Sequence, residues 1–213
     1  MTRLLFIRHG ESEGNRLGVF VGHTDLPLTD RGRKQAALTA QFLDPYPIDV
    51  LYASDLCRAY ETALPLAERR GLPVRKDPLL REINGGDWEM KPFKELASLS
   101  PDDYRQWSEH LGTCRCPGGE SVAELQARIR TEVDRLTARH AGKTICIVTH
   151  ATPIRVMKCI WLGLGLDQIS SFGWAPNASV TLVEGRADGG YTLLLDGEDK
   201  HLAGLQTLLP KEI

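Results

Sequence analysis

The sequence predicts an α/β fold, a three-layer α/β/α sandwich around a mostly parallel central sheet with one inserted segment. Short continuous apolar runs, typical of buried parallel strands, alternate along the chain with segments of helical periodicity. The 213 residues are 42% hydrophobic and 25% charged, which is enough to bury one full core. We therefore expect a single domain over residues 1–213.

The first half of the chain contains two strand-helix pairs. Residues 4–7 form an apolar run that predicts the first strand, and Thr29 is placed to cap the helix that follows it. Residues 50–53 predict a second strand. Ser54 is then a candidate N-cap for a helix that ends near Gly71, which places Arg58 in the first helical turn.

The second half repeats the alternation. Between Ser121 and His140, apolar residues recur at intervals of three and four and predict a helix with one buried face. Residues 144–149 predict another buried strand. Thr152, followed by a proline, is a candidate N-cap for the next helix.

Two remaining segments complete the expected fold. Residues 179–184 and 191–195 flank a short glycine-containing link and predict a β-hairpin. Residues 84–119 contain scattered tryptophan and proline and lack a clear period. We expect this segment to be an insertion over one end of the sheet and a candidate lid.

Composition excludes several classes of protein. The net charge is −2 and no basic run occurs, which argues against binding to nucleic acid. The first apolar run holds only four residues before a charge, too few for a signal peptide or a membrane-spanning helix, so we expect a cytoplasmic protein without a membrane partner. Five cysteines without scaffold-like spacing favour reduced thiols.

Two histidines mark the predicted site. His9 and His150 each directly follow a short apolar strand, and the carboxyl ends of strands are where open α/β sheets bind ligands. Arg8 adjoins one of them, and Arg58 lies at a helix start. If these strand ends are neighbours, two guanidinium groups and two imidazoles would form a pocket for a dianion.

One carboxyl group is a further candidate for this site, whereas most of the remaining arginines are not. Glu82 lies between apolar residues and a double glycine, which favours a partly buried carboxyl beside a loop. Most other arginines are expected to be solvated surface charges, among them Arg31, Arg33, Arg69, Arg70, Arg128 and Arg139.

Five ordered blocks of the chain resemble the histidine phosphatase superfamily, also called the phosphoglycerate mutase-like family. They span almost the whole chain and are residues 8–12 with Asn15, residues 22–32, 54–63, 80–83 and 148–151. The resemblance implies the phosphoglycerate mutase-like fold and a two-step phosphoryl transfer. In this reaction His9 would become a phosphohistidine, while Arg8, Arg58 and His150 would hold the non-bridging oxygens, with Asn15 as a further contact.

The resemblance also implies the remaining roles and exposes departures. Glu82 would protonate the departing alcohol oxygen and later accept a proton from water, with Gly22 and Ala151 beside the substrate. No metal ion or cofactor is implied. Ala151 and Met90 stand where the family commonly has glycine, and Val21 stands where mutases tend to have threonine, which weakens a mutase assignment.

Within the family we favour a phosphatase over a mutase. The segment between Glu82 and His150 is short for the tight cover that a mutase needs, and residues 117–121 resemble the α-ribazole phosphatase and broad-specificity branches. The expected partner is a small phosphorylated metabolite. A cofactor-dependent phosphoglycerate mutase and a non-catalytic phospho-ligand binding protein remain alternatives, and the exact substrate, the oligomeric state and the role of Cys114 and Cys116 stay open.

Overall fold

A computed structural model describes residues 1–207 and shows a six-stranded sheet in the order β3-β2-β4-β1-β5-β6. β1 to β4 run parallel to one another, while β5 and β6 are antiparallel additions at one edge. The strands are Arg3–Arg8 (β1), Val50–Ala53 (β2), Val74–Lys76 (β3), Thr144–Thr149 (β4), Val180–Gly185 (β5) and Tyr191–Glu198 (β6). The expected mostly parallel sheet and its terminal hairpin are confirmed.

Helices cover both faces of the sheet. They are Glu13–Leu17 (α1), Asp30–Phe42 (α2), Cys57–Arg70 (α3), Phe93–Leu99 (α4), Pro101–Glu109 (α5), Val122–Arg139 (α6) and Ala151–Leu162 (α7). α2 and α3 pack against one face, where Leu5 and Ile7 of β1 point. α6 and α7 pack against the other face with Leu4 and Phe6. Alternate side chains of β1 therefore pack against the helices on the two opposite faces of the sheet.

Local sequence explains two of the long helices. Thr29 caps α2 by accepting a hydrogen bond from the Gly32 N–H, as expected. Ser121 and Glu124 form a reciprocal capping box at the start of α6, which is buried along one face by the predicted apolar residues.

Two predicted caps are wrong for a common reason. α3 begins at Cys57, not after Ser54, and the Cys57 N–H donates to the Asp25 carboxylate at 2.7 Å. α7 begins at Ala151, so Thr152 lies inside the helix and His150 is the N-cap. In both helices a carboxylate from a distant loop binds the first N–H groups, and local sequence cannot reveal such a partner.

Residues 84–119 contain α4 and α5, which the sequence did not predict. Trp88, Leu96 and Trp107 of this segment are buried in the same core as α6 and α7. Its aromatic residues therefore belong to the domain core while the segment reaches the edge of the sheet where β1 and β4 end. Over residues 1–207, no helix has both the length and the apolar character needed to cross a membrane.

Candidate active site

His9 and His150 meet because β1 and β4 are adjacent parallel strands. Arg8 pairs with Thr149 in the register of these strands, and the His9 N–H donates to the Thr149 carbonyl at 2.9 Å. The two imidazole rings lie 5.1 Å apart between centroids, with planes inclined by 62°. The sequence expectation that the two strand ends are neighbours is thus met in the structure.

The His9 ring has a defined tautomer. Its Nδ1 lies 2.7 Å from the Gly10 carbonyl oxygen, which can only accept, so Nδ1 carries the proton and Nε2 carries the lone pair. Asn177 fixes this turn by donating to the carbonyls of His9 and Gly10. Burial, reinforced by the charges of Arg58 and Arg8, holds the His9 pKa well below its usual 6.5. His9 is therefore a neutral imidazole near pH 7.

His150 presents the opposite nitrogen. Its Nε2 lies 2.9 Å from the Ser54 hydroxyl, which also accepts from the Leu56 N–H. This contact leaves Nδ1 as the free nitrogen of the His150 ring, and it is buried without a hydrogen-bond partner among residues 1–207. Burial and the nearby charge of Arg58 hold the His150 pKa well below 6.5, so this ring is also neutral.

Two buried guanidinium groups flank the imidazoles. Arg8 donates through Nη1 to the Ala175 carbonyl at 2.6 Å, and its Nε has no hydrogen-bond partner among the residues described. Arg58 donates to the carbonyls of Thr24 and Gly22 at 2.9 and 2.8 Å. Burial lowers the Arg8 pKa to about 10 and also lowers that of Arg58, opposed in both by the negative charge of Glu82. Both side chains remain cationic at neutral pH.

Glu82 faces the start of α7. One carboxylate oxygen accepts from the N–H groups of Ala151 and Thr152 at 3.1 and 3.3 Å, and the other accepts from the Ile83 N–H at 2.8 Å. A negative group at a helix N-terminus is favoured by the helix dipole and by the unpaired N–H groups there. This contact holds Glu82 at the edge of the basic pocket, partly buried as the sequence predicts.

The other predicted residues border the same cleft. Asn15 accepts hydrogen bonds through Oδ1 from the Ser12 and Asn177 side chains, and Ala151 begins α7 at the rim. Gly22 has a positive φ of 54°, and a Cβ there would lie 2.3 Å from the Glu89 carboxylate, so only glycine fits this turn. All predicted site residues converge on one region of the structure.

The cleft has a basic floor and a largely apolar wall. Arg8, His9 and Arg58 lie at the floor, with Glu82 at one side, around a cavity of about 80 Å³. The wall is formed mainly by apolar and aromatic side chains, namely Val19, Phe20, Val21, Ile83, Phe93, Trp107 and Trp174. The floor suits a phosphate dianion, and the wall suits the carbon skeleton attached to it.

A family model of the histidine phosphatase superfamily (branch 1) matches residues 4–196, which include both histidines, both arginines and Glu82. This chain belongs to that superfamily. Its histidine phosphatase fold is shared by a phosphoserine phosphatase mutant (H9A) from Entamoeba histolytica in complex with phosphoserine. That structure is 30% identical, has a TM-score of 0.85 and covers 95% of this chain and 100% of its own.

Two further phosphatases are similar to this chain, one in sequence and one in structure. Phosphoserine phosphatase 1 of Hydrogenobacter thermophilus is 38% identical over 183 residues, 86% of each chain. A mycobacterial glucosyl-3-phosphoglycerate phosphatase in complex with VO3 has a TM-score of 0.84 at 31% identity, covering 91% of this chain and 98% of its own. These relatives identify the chain as a phosphatase, in agreement with the sequence analysis.

Several residues around the site were missed or misjudged from the sequence. Glu89 accepts hydrogen bonds from the N–H groups of His23 and Thr24 and so shapes the loop that binds Arg58. Asn177 donates to the His9 carbonyl and so stabilises the turn after β1. Both are polar residues in loops without a regular pattern, and only their distant partners reveal them.

Two arginines were expected to be solvated and are not. Arg70 donates to three carbonyls near the end of α2, at Leu43, Asp44 and Tyr46. Arg128 has a side chain only 18% exposed and binds the backbone near Glu82. A guanidinium group has five donors, so an arginine on an amphipathic helix can bind carbonyls of neighbouring loops, which periodicity does not show.

Proposed function

We propose that this phosphatase hydrolyses phosphomonoesters of small metabolites through a phosphohistidine on His9. The observation that carries the proposal is the orientation of His9, whose unprotonated Nε2 belongs to a neutral ring fixed through Nδ1 beside Arg8 and Arg58. A neutral imidazole is a nucleophile at pH 7, and adjacent cations stabilise the charge on the transferring phosphoryl group.

In the first step the His9 Nε2 lone pair attacks phosphorus. The bond from phosphorus to the alcohol oxygen breaks, and Glu82, in its protonated form for this step, gives its proton to that oxygen and becomes a carboxylate. Arg8, Arg58 and the Nδ1 proton of His150 bind the three non-bridging oxygens, with Asn15 as a further donor. The donor atom on His150 is supported by its buried, unpaired Nδ1.

In the second step water attacks phosphorus on the opposite side from His9. Glu82 accepts a proton from that water, the bond from phosphorus to Nε2 breaks, and inorganic phosphate leaves. His9 and Glu82 return to their starting states, so no cofactor takes part. Gly22, Ala151 and the aromatic wall lie against the alcohol portion of the substrate. The cytoplasmic location expected from the sequence stays a prediction.

The test is trapping of the phosphoenzyme. The purified protein is mixed with a ³²P-labelled phosphomonoester and quenched within milliseconds to seconds, and the label is assayed for the acid lability and base stability of a phosphohistidine. We expect label and turnover of 4-nitrophenyl phosphate in the native protein and in His110→Ala, an exposed histidine variant, and neither in His9→Ala. Turnover that survives in His9→Ala would refute the proposal.

A further inference from the structure

The backbone that carries Glu82 is held by an arginine from another element. Arg128 of α6 donates through Nη1 to the carbonyls of Leu79 and Arg81 at 2.7 and 3.2 Å, and through Nη2 to the Glu82 carbonyl at 3.1 Å. One guanidinium group thus binds three carbonyls within four consecutive residues. Glu82 lies outside regular secondary structure, so side chains hold this backbone. Besides Arg128, His23 lies 2.9 Å from the Glu82 carbonyl and Thr149 donates to the Leu80 carbonyl at 2.6 Å.

Glu120 completes this contact from the other side. Its carboxylate accepts from Nε and Nη2 of Arg128, both at 2.9 Å, which is a bidentate ion pair. The same carboxylate accepts from the Asn84 N–H at 3.2 Å, and the Glu120 N–H donates to the Asn84 carbonyl at 3.0 Å. Residues on both sides of Glu82 are therefore attached to one ion pair.

The support for this ion pair is rigid. Glu120 directly precedes the N-cap of α6, and Arg128 lies two turns into that helix, beside the buried Leu125 and Ile129. The side chains of Arg128 and Glu120 are only 18% and 14% exposed. A partly buried bidentate pair anchored on a core helix keeps its geometry far better than a surface pair does.

Arg128 acts on the position of Glu82 and not on its charge. Its donors bind peptide carbonyls and the Glu120 carboxylate, and none of its hydrogen bonds reaches the Glu82 carboxylate. The negative charge of Glu120 also compensates the positive charge of Arg128 locally. Loss of Arg128 is therefore expected to displace the Glu82 carboxyl from its position in the cleft.

We propose that Arg128, paired with Glu120, is a positioning residue that sets the Glu82 carboxyl against the leaving oxygen of the substrate. This inference rests on the proposed function, in which Glu82 protonates that oxygen. Proton transfer requires hydrogen-bond distance, so a small shift of the backbone of residues 79–84 costs rate when the leaving group needs an acid. It costs little when the leaving group is a stable anion.

The experiment compares two substrates in four variants. kcat and KM are measured for 2-glycerophosphate, whose alkoxide needs a proton, and for 4-nitrophenyl phosphate, whose nitrophenolate does not. The variants are Arg128→Gln, Arg128→Lys, Glu82→Gln and the matched control Arg130→Gln. Arg130 lies on the same helix, with a side chain that is 64% exposed and, among residues 1–207, forms an ion pair only with Asp134.

We expect Arg128→Gln to lower kcat for 2-glycerophosphate by about tenfold or more and kcat for 4-nitrophenyl phosphate by less than about threefold, with KM little changed. Arg130→Gln should match the native protein on both substrates. Arg128→Lys keeps the charge but lacks the fork that spans three carbonyls, so it should resemble Arg128→Gln. If Arg128→Gln does not fold, the Lys variant carries the test.

The outcomes separate the two proposals. Equal losses on both substrates in the Arg128 variants, or native behaviour of Arg128→Lys, overturn the positioning role. Glu82→Gln and the Arg128 variants can also differ. If Glu82→Gln lowers kcat mainly for 2-glycerophosphate while the Arg128 variants do not, the positioning role fails and the acid role of Glu82 stands. If Glu82→Gln lowers kcat equally for both substrates, the acid role of Glu82 and the positioning role of Arg128 both fail.

Discussion

The imidazole rings of His9 and His150 lie edge to face with their centroids 5.1 Å apart, yet each is fixed through a different nitrogen. His9 is held at Nδ1 by the Gly10 carbonyl, and His150 is held at Nε2 by the Ser54 hydroxyl. Nε2 is therefore the free nitrogen of His9, and Nδ1 is the free, buried nitrogen of His150. In the proposed reaction His9 is the nucleophile and His150 the hydrogen-bond donor, so two residues of the same type take different roles.

Arg58 should not be replaceable by lysine. Its guanidinium group is fixed by two carbonyls, Thr24 and Gly22, and a single ammonium group cannot keep both bonds while binding an oxyanion. We expect Arg58→Lys to lower kcat/KM for 4-nitrophenyl phosphate by about 100-fold or more. Arg69→Lys, an exposed arginine on the same helix, is the control and should have no effect. A loss below about tenfold in Arg58→Lys would contradict this role.

The two site histidines should make the free energy of unfolding depend on pH below 6.5. Their pKa values are lowered in the folded state, so the unfolded chain binds more protons and stability falls as pH falls below the ordinary pKa. Each contributes a slope of up to about 1.4 kcal/mol per pH unit.

Urea unfolding between pH 5 and 7 measures this slope. His9→Gln should flatten it relative to the native protein, whereas His110→Gln, at an exposed position, should leave it unchanged. A slope that is the same in His9→Gln and the native protein would show that His9 titrates normally in the folded state.

Met90 is expected to cost stability at its position. Its φ is 64°, in the left-handed region that glycine adopts easily, and its side chain is 41% exposed and so contributes little packing. Met90→Gly should raise the free energy of unfolding by about 0.5–1 kcal/mol in urea denaturation. Met90→Ala keeps the strained backbone and should give no such gain. A loss of stability in Met90→Gly would contradict the strain.

With 3-phosphoglycerate and catalytic 2,3-bisphosphoglycerate, we expect release of phosphate without 2-phosphoglycerate. Among residues 1–207 the cationic side chains of the cleft are Arg8 and Arg58, both at the floor proposed to bind phosphate, and the remaining wall is largely apolar. The carboxylate of a glycerate intermediate is therefore weakly held, and water reaches the phosphohistidine first. Both products are read in one incubation, with His9→Ala as blank. Formation of 2-phosphoglycerate that depends on added 2,3-bisphosphoglycerate would instead indicate a mutase.

The periodicity of apolar residues and the positions of capping residues, glycine and proline predicted the long elements of the fold. This worked because α2 and α6 carry their own caps and apolar faces in the sequence. These patterns did not predict β3, only three residues long, or α4 and α5, whose pattern is interrupted by proline. The misplaced caps at Ser54 and Thr152 have another cause, since Asp25 and Glu82 supply those caps from outside the helix.

The sequence by itself determined the fold class, the family and the set of residues that meet at the site. Apolar strands ending in His9 and His150 must place both histidines at one edge of a parallel sheet. Only the tertiary structure decided which nitrogen of each ring is free and how Arg128 holds the segment that carries Glu82. The His150–Ser54 and Arg128–Glu82 hydrogen bonds join residues far apart in the chain. His9 binds its neighbour Gly10, but the distant Asn177 holds the turn that brings them together. A pattern of neighbouring residues contains no information about such partners.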